Sequence, residues 1–106
     1  MDIRNTAMAG TLESSDVSIV VEPNEEGGIW IEIHSVVKEQ FGDQIRLVIE
    51  ETLSRLKVKN AIIKVHDKGA LDCVIKARLQ TALHRAANVT AFNWGEESEC
   101  SNLEEQ

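Results

Sequence analysis

Thiols, aromatic rings, basic charge and long apolar runs are all scarce in this chain, and each shortage removes a class of protein. The two cysteines, Cys73 and Cys100, form neither a C-x-x-C pair nor a spacing typical of a metal site. A disulfide framework and a zinc module are therefore not expected. Cys73 falls inside a helical pattern, where a free thiol behaves as a small hydrophobe, and Cys100 falls in a polar stretch. No segment approaches the roughly 20 apolar residues that span a bilayer. Residues 1–10 also lack the apolar run of a signal peptide, so no membrane is expected and the cytoplasm is the expected location.

Lys and Arg number 11 against 18 Asp and Glu, for a formal net charge of -7. Nucleic-acid binding needs clustered basic side chains to replace counterions on phosphates, so nucleic acid is excluded as a partner. A basic protein surface is easier to accommodate. The aromatic residues Trp30 and Trp94 are isolated and have no basic stripe around them, so they do not form a base-stacking platform. Trp30 on the polar face of a strand reads as a contact for a partner protein.

What is abundant is aliphatic. Hydrophobic residues make up 42 % of the 106, so Ile, Val, Leu and Ala must supply the core of one domain, expected over 1–91. From Val17 to Glu22, apolar Val17, Ile19 and Val21 alternate with Ser18, Val20 and Glu22, which is the period of a strand. Ile29, Ile31 and Ile33 alternate in the same way with Trp30, Glu32 and His34. The connector between them has Pro23, Asn24, Gly27 and Gly28, and predicts an antiparallel hairpin.

Ser35 is a plausible N-cap for a helix over 35–56. Its apolar stripe comprises Val37, Phe41, Ile45, Val48, Ile49, Thr52, Leu53 and Leu56. Gly42 interrupts that stretch, and Asp43 could cap a later start. A third strand is read over 60–66. A second helix follows, its stripe being Leu71, Ile75, Leu79, Ala82, Leu83 and Ala86, with Lys76, Arg78, Gln80 and Arg85 on other faces. Residues 7–12 suit an edge strand or a loop equally. Beyond Ala91 the chain is acidic, and 92–106 is expected to be a flexible tail.

The order β-β-α-β-α predicts a two-layer α+β domain, with a small, mainly antiparallel sheet of three to four strands packed against two helices. His34, His66 and His84 are scattered, with no nucleophile in a recognisable arrangement, so no catalytic triad can be read. His34 and His66 are expected on outer strand faces and His84 on a helix surface. His66, Asp67 and Lys68 read as the capping residues of a turn into a helix, and Gly69 alone is too weak a signal for phosphate binding. Taken by residue chemistry alone, the polar run before the first confident strand is a capped turn.

That run, Ala9-Gly10-Thr11-Leu12-Glu13-Ser14-Ser15-Asp16, occurs together with Phe41-Gly42-Asp43 and Asp67-Lys68-Gly69-Ala70-Leu71-Asp72-Cys73. In order and spacing the three resemble the acyl carrier subunit, or gamma chain, of bacterial citrate lyase, over roughly residues 1–94. His66 departs from the pattern, which usually has an acidic residue there. The resemblance implies a non-catalytic carrier phosphoprotein in citrate fermentation. It implies that Ser14, within the segment 1–16, bears 2'-(5''-phosphoribosyl)-3'-dephospho-CoA through a phosphodiester, with Ser15 as the chemically equivalent rival. Protein made in a foreign host is expected without the group.

The implied partners are the alpha (transferase) and beta (lyase) subunits, the holo-acyl carrier protein synthase and the acetate:citrate lyase ligase. The arm's thiol would shuttle acetyl and citryl thioesters in the cleavage of citrate to oxaloacetate and acetate. Ser14 is expected on a polar, mobile segment, with Glu13 and Asp16 guiding a basic partner surface. The strands exclude the four-helix bundle of familiar acyl carriers. Without the resemblance, the same residues also suit an α+β regulatory or subunit-interaction module with no covalent cofactor.

Overall fold

The fold is taken from a computed structural model that describes residues 1–87. Six elements follow in order: β1 (Ala7–Gly10), β2 (Val17–Glu22), β3 (Ile29–Ser35), α1 (Lys38–Arg55), β4 (Ala61–Asp67) and α2 (Asp72–Ala86). This is the expected α+β arrangement, with the open question at residues 7–12 resolved as an edge strand. The expected tail and Trp94 lie outside the described residues.

Alternation sets each strand's inner face. Val17, Ile19 and Val21 of β2, with Ala61, Ile63 and Val65 of β4, are all fully buried. Against them pack Ile45, Val48, Ile49 and Leu53 from α1, and Ile75, Leu79, Ala82, Leu83 and Ala86 from α2. The helical stripes expected from the sequence therefore supply most of the second layer. The other face of the sheet carries Val20, Ile62 and Trp30, the last 63 % exposed.

The expected hairpin does not form. The sheet order is β1-β2-β4-β3, so β4 lies between β2 and β3. β2 pairs antiparallel with β4, whereas β3 pairs with β4 in parallel through the α1 crossover. β2 and β3 do run in opposite directions, but periodicity reports which face a residue takes and carries no information about which strand lies alongside. A parallel neighbour needs a crossover of a dozen or more residues, and 36–60 provides it.

Three smaller expectations also fail. Ser35 ends β3 and does not cap α1. Its hydroxyl donates to Asp67 Oδ2 at 2.8 Å and accepts the Val37 amide at 3.0 Å, while Val37 holds the cap position with no side-chain cap bond. Gln80 and His84 are buried, not on the surface. The helix α2 touches β1, β2 and α1 at once, which covers more than one stripe of it. The His84 Nδ1–H donates to the Gln80 carbonyl at 2.7 Å, a bond within its own helix.

Candidate functional site

The loop between β1 and β2 is a built turn. The Asp16 amide donates to the Glu13 carbonyl at 3.1 Å, closing a four-residue turn with Ser14 and Ser15 at its crest. Ser15 has φ +65°, in the left-handed region that a non-glycine residue occupies at a cost on the order of 1 kcal/mol. Two bonds to the end of β4 offset it: the Ser15 amide donates to the Lys68 carbonyl, and the Lys68 amide donates to the Asp16 carbonyl, both at 2.9 Å. The turn thus continues the β2–β4 ladder beyond Val17 and Asp67.

Asp16 is the hub. Its carboxylate accepts the Thr11 hydroxyl at 2.6 Å, the Val17 amide at 2.7 Å, and Arg78 Nε and Nη2 at 3.2 and 2.9 Å. With the side chain only 15 % exposed, these bonds pull its pKa from 3.8 to about 2, the Thr11 hydroxyl contributing most and Arg78 next, against the opposing effect of burial. Asp16 is therefore committed inward and cannot serve as the expected lure for a basic partner, and the expected mobile segment is braced from both sides. Glu13 stays exposed.

The other wall of this end is Asp67. Its carboxylate accepts the Ser35 hydroxyl and the Gly69 and Ala70 amides at 2.8–3.1 Å, joining β3 and β4 to the approach of α2. Of the residues 66–68 expected to cap the turn into the helix, Asp67 closes the turn, but it does not cap α2, whose cap position is Leu71 with no side-chain bond. At the near end of β1, Gly10 has φ +96°, and an added Cβ would stand 1.8 Å from the Val17 carbonyl oxygen. Only glycine fits there.

Ser14 and Ser15 are both exposed, but their surroundings differ. The Ser15 amide is bound and its backbone left-handed, while neither serine hydroxyl has a hydrogen-bond partner among the described residues. The sequence motifs contain Thr11 and Lys68 as well as the two serines without marking them as braces, and they leave out Arg78. No local signal could have found Arg78, which lies 62 residues beyond Asp16.

The scattered histidines are only partly scattered. His34 and His66 are cross-strand partners in register, with stacked rings 4.9 Å apart. His34 Nε2 lies 2.8 Å from Glu32 Oε2, and that bond lowers the Glu32 pKa. Both rings are exposed on the outer sheet face, as expected. No group of three His, Cys, Asp or Glu among the described residues could hold a metal ion, and no described helix is long and apolar enough to cross a membrane.

Residues 4–86 match the family model described as the malonate decarboxylase delta subunit, an acyl carrier family. The chain is 56 % identical over 96 residues to the citrate lyase acyl carrier protein of Streptococcus mutans, covering 91 % of this chain and 94 % of that one. It is 48 % identical over 96 residues to the citrate lyase acyl carrier protein of Vibrio cholerae, covering 91 % and 98 %. Among solved structures it resembles a chain of a Pseudomonas malonate decarboxylase hetero-tetramer in complex with malonate. That likeness has a TM-score of 0.67 at 20 % identity and covers 79 % of this chain and 86 % of that one. A Cytophaga hutchinsonii homoserine kinase shares the layout at TM-score 0.54 and 9 % identity, over 82 % of this chain and 35 % of that one. Such likenesses bear on fold alone.

Proposed function

This chain belongs to the citrate lyase acyl carrier protein family, and from that membership we propose that it is the carrier subunit of a citrate lyase complex, loaded at Ser14. The observation that carries the reading is the turn 13–16: an exposed hydroxyl without an internal partner, held at the crest of a loop that is fixed from α2 and from β4. A modifying enzyme needs such a hydroxyl in reach, and a rigid base limits the volume that an attached arm explores.

The group proposed is 2'-(5''-phosphoribosyl)-3'-dephospho-CoA in phosphodiester linkage to Ser14 Oγ. When bound, it supplies a thiol on which acetyl and citryl units are carried as thioesters. The residues of this chain hold and present; the described part offers no paired base and nucleophile, and the acyl chemistry is assigned to partner subunits. Thr11, Asp16 and Arg78 fix the turn, and Lys68 ties it to the sheet. The Pseudomonas neighbour is one chain of a hetero-tetramer. In keeping with that, the partners proposed here are the alpha transferase and beta lyase subunits during turnover, and the holo-acyl carrier protein synthase and acetate:citrate lyase ligase during loading. Trp30, exposed on the sheet's outer face, offers a contact for such a subunit.

Intact mass of the chain purified from its own host tests this. The expected result is a mass raised by the prosthetic group, located by digestion to the peptide containing Ser14 and absent from Ser14→Ala. An unmodified native chain, or an arm that persists in Ser14→Ala, would refute the assignment.

A further inference from the structure

Two hydrophobic side chains break the pattern of the helical stripes read from the sequence. Phe41 and Leu71 fall on stripes that periodicity turns inward, yet they are 52 % and 71 % exposed. Both line one open groove of about 760 Å³ that runs along α1 from Phe41 to Glu51 and is closed on its other side by the approach and first turn of α2, with buried Ile45 and Val48 among its walls. The Gln44 Nε2 donates to Asp72 Oδ2 at 2.8 Å, so the two helices are joined where the groove lies. Its volume is that of a small-molecule site, a concave apolar surface with a few polar groups.

We propose that this groove is the resting seat of the arm carried by Ser14, and that it takes the arm's uncharged pantetheine end. The inference rests on the attachment proposed above and adds where the arm goes. Gly69, Ala70 and Leu71 form one wall of the groove, and they directly follow Lys68, whose backbone makes both bonds to the turn bearing Ser14. A single loop therefore separates attachment point from seat. Charge selects the end of the arm. Glu51 and Asp72 outnumber Lys76 along the lining, while Asp67 is already bonded to Ser35, Gly69 and Ala70. An acidic lining disfavours the phosphates of the dinucleotide. A neutral chain of methyl, methylene and amide groups ending in a thiol matches the apolar walls and the polar rim. Seated there, the thiol end is withdrawn from bulk water between visits to the partner subunits.

Cys73 lines the groove and serves as the probe. In the loaded Cys100→Ser chain, diamide can accept two hydrogens while the arm's thiol and Cys73 each lose one, forming one disulfide and leaving the chain lighter by two hydrogens. The reference is a loaded Lys68→Cys, Cys73→Ser, Cys100→Ser chain, whose thiol stands beside the turn but outside the groove. Both rates are divided by each thiol's rate with iodoacetamide.

Free tethering favours the position nearer Ser14, whereas seating raises the Cys73 rate about tenfold above the reference through effective concentration. Phe41→Asp, a change at an exposed side chain, is expected to abolish that advantage. Equal rates, a faster reaction in the reference chain, or indifference to Phe41→Asp would overturn the seat while leaving attachment intact. Absence of the arm's mass from the starting chain would refute both proposals.

Discussion

Two polar loops of this small sheet, 11–16 and 23–28, are held by different physics. The connector 23–28 is satisfied almost within itself. The Asn24 side chain donates to the Gly27 and Gly28 carbonyls at 3.1 Å and accepts the Glu26 amide at 3.1 Å, with Asn60 Oδ1 accepting the Gly28 amide at 2.7 Å. The turn 11–16 adds to its own local bonds others with residues more than 50 positions away, Lys68 and Arg78. A loop that only reverses the chain can be local. A loop fixed by two other elements holds one position in space, which is what an attachment point requires.

The sharpest break of this comparison comes from its glycines. Gly10→Ala is expected to destabilise the chain by more than about 3 kcal/mol, because a left-handed backbone and a carbonyl clash coincide. Gly28→Ala meets nothing within 4 Å at its φ of +89° and bears only the backbone cost. Denaturant midpoints of the two variants should differ clearly, and similar midpoints would show that Gly10 is not tightly held.

Next in size is the Asp16 hub. Arg78→Ala is expected to cost roughly 1–2 kcal/mol, discounted because the guanidinium is partly exposed. The carboxylate's folded pKa is depressed, so its contribution is complete above its ordinary value of 3.8 and is lost as pH falls towards about 2. Acid unfolding of the parent chain should show that loss between those limits. In Arg78→Ala the loss should shrink but persist, since the Thr11 hydroxyl bond, the largest single cause of the depression, remains. An unchanged acid profile in that variant would mean that the ion pair does not brace the turn.

The smallest effect belongs to the local loop. Asn24→Ala is expected to cost about 1 kcal/mol from lost turn bonds and to leave loading at Ser14 unchanged by intact mass. Impaired loading would show that the two loops are coupled through the sheet, and the contrast drawn between them would fall.

Much of the fold is legible residue by residue. Alternation in Val17–Glu22 places Val17, Ile19 and Val21 inside, and helical spacing places Ile45, Val48, Ile49 and Leu53 there too. The exceptions have a physical cause. Phe41 and Leu71 follow the helical spacing but line the open groove, and Gln80 and His84 are polar residues on a helix that packs against the sheet and α1 together. The site was legible in part: the run 9–16 marks the serines and contains Thr11 and Asp16, but nothing near it points to Lys68 or Arg78 as their braces.

The sequence by itself determined the element types, most of the inward faces and the place of the candidate serine, because periodicity and motif are properties of neighbouring residues. Tertiary structure alone decided that β4 separates β2 from β3, that Asp16 turns to Arg78, and that Phe41 and Leu71 share a groove. Each of these joins residues far apart in the chain, and the free energy of such a contact exists only once folding has brought both partners together.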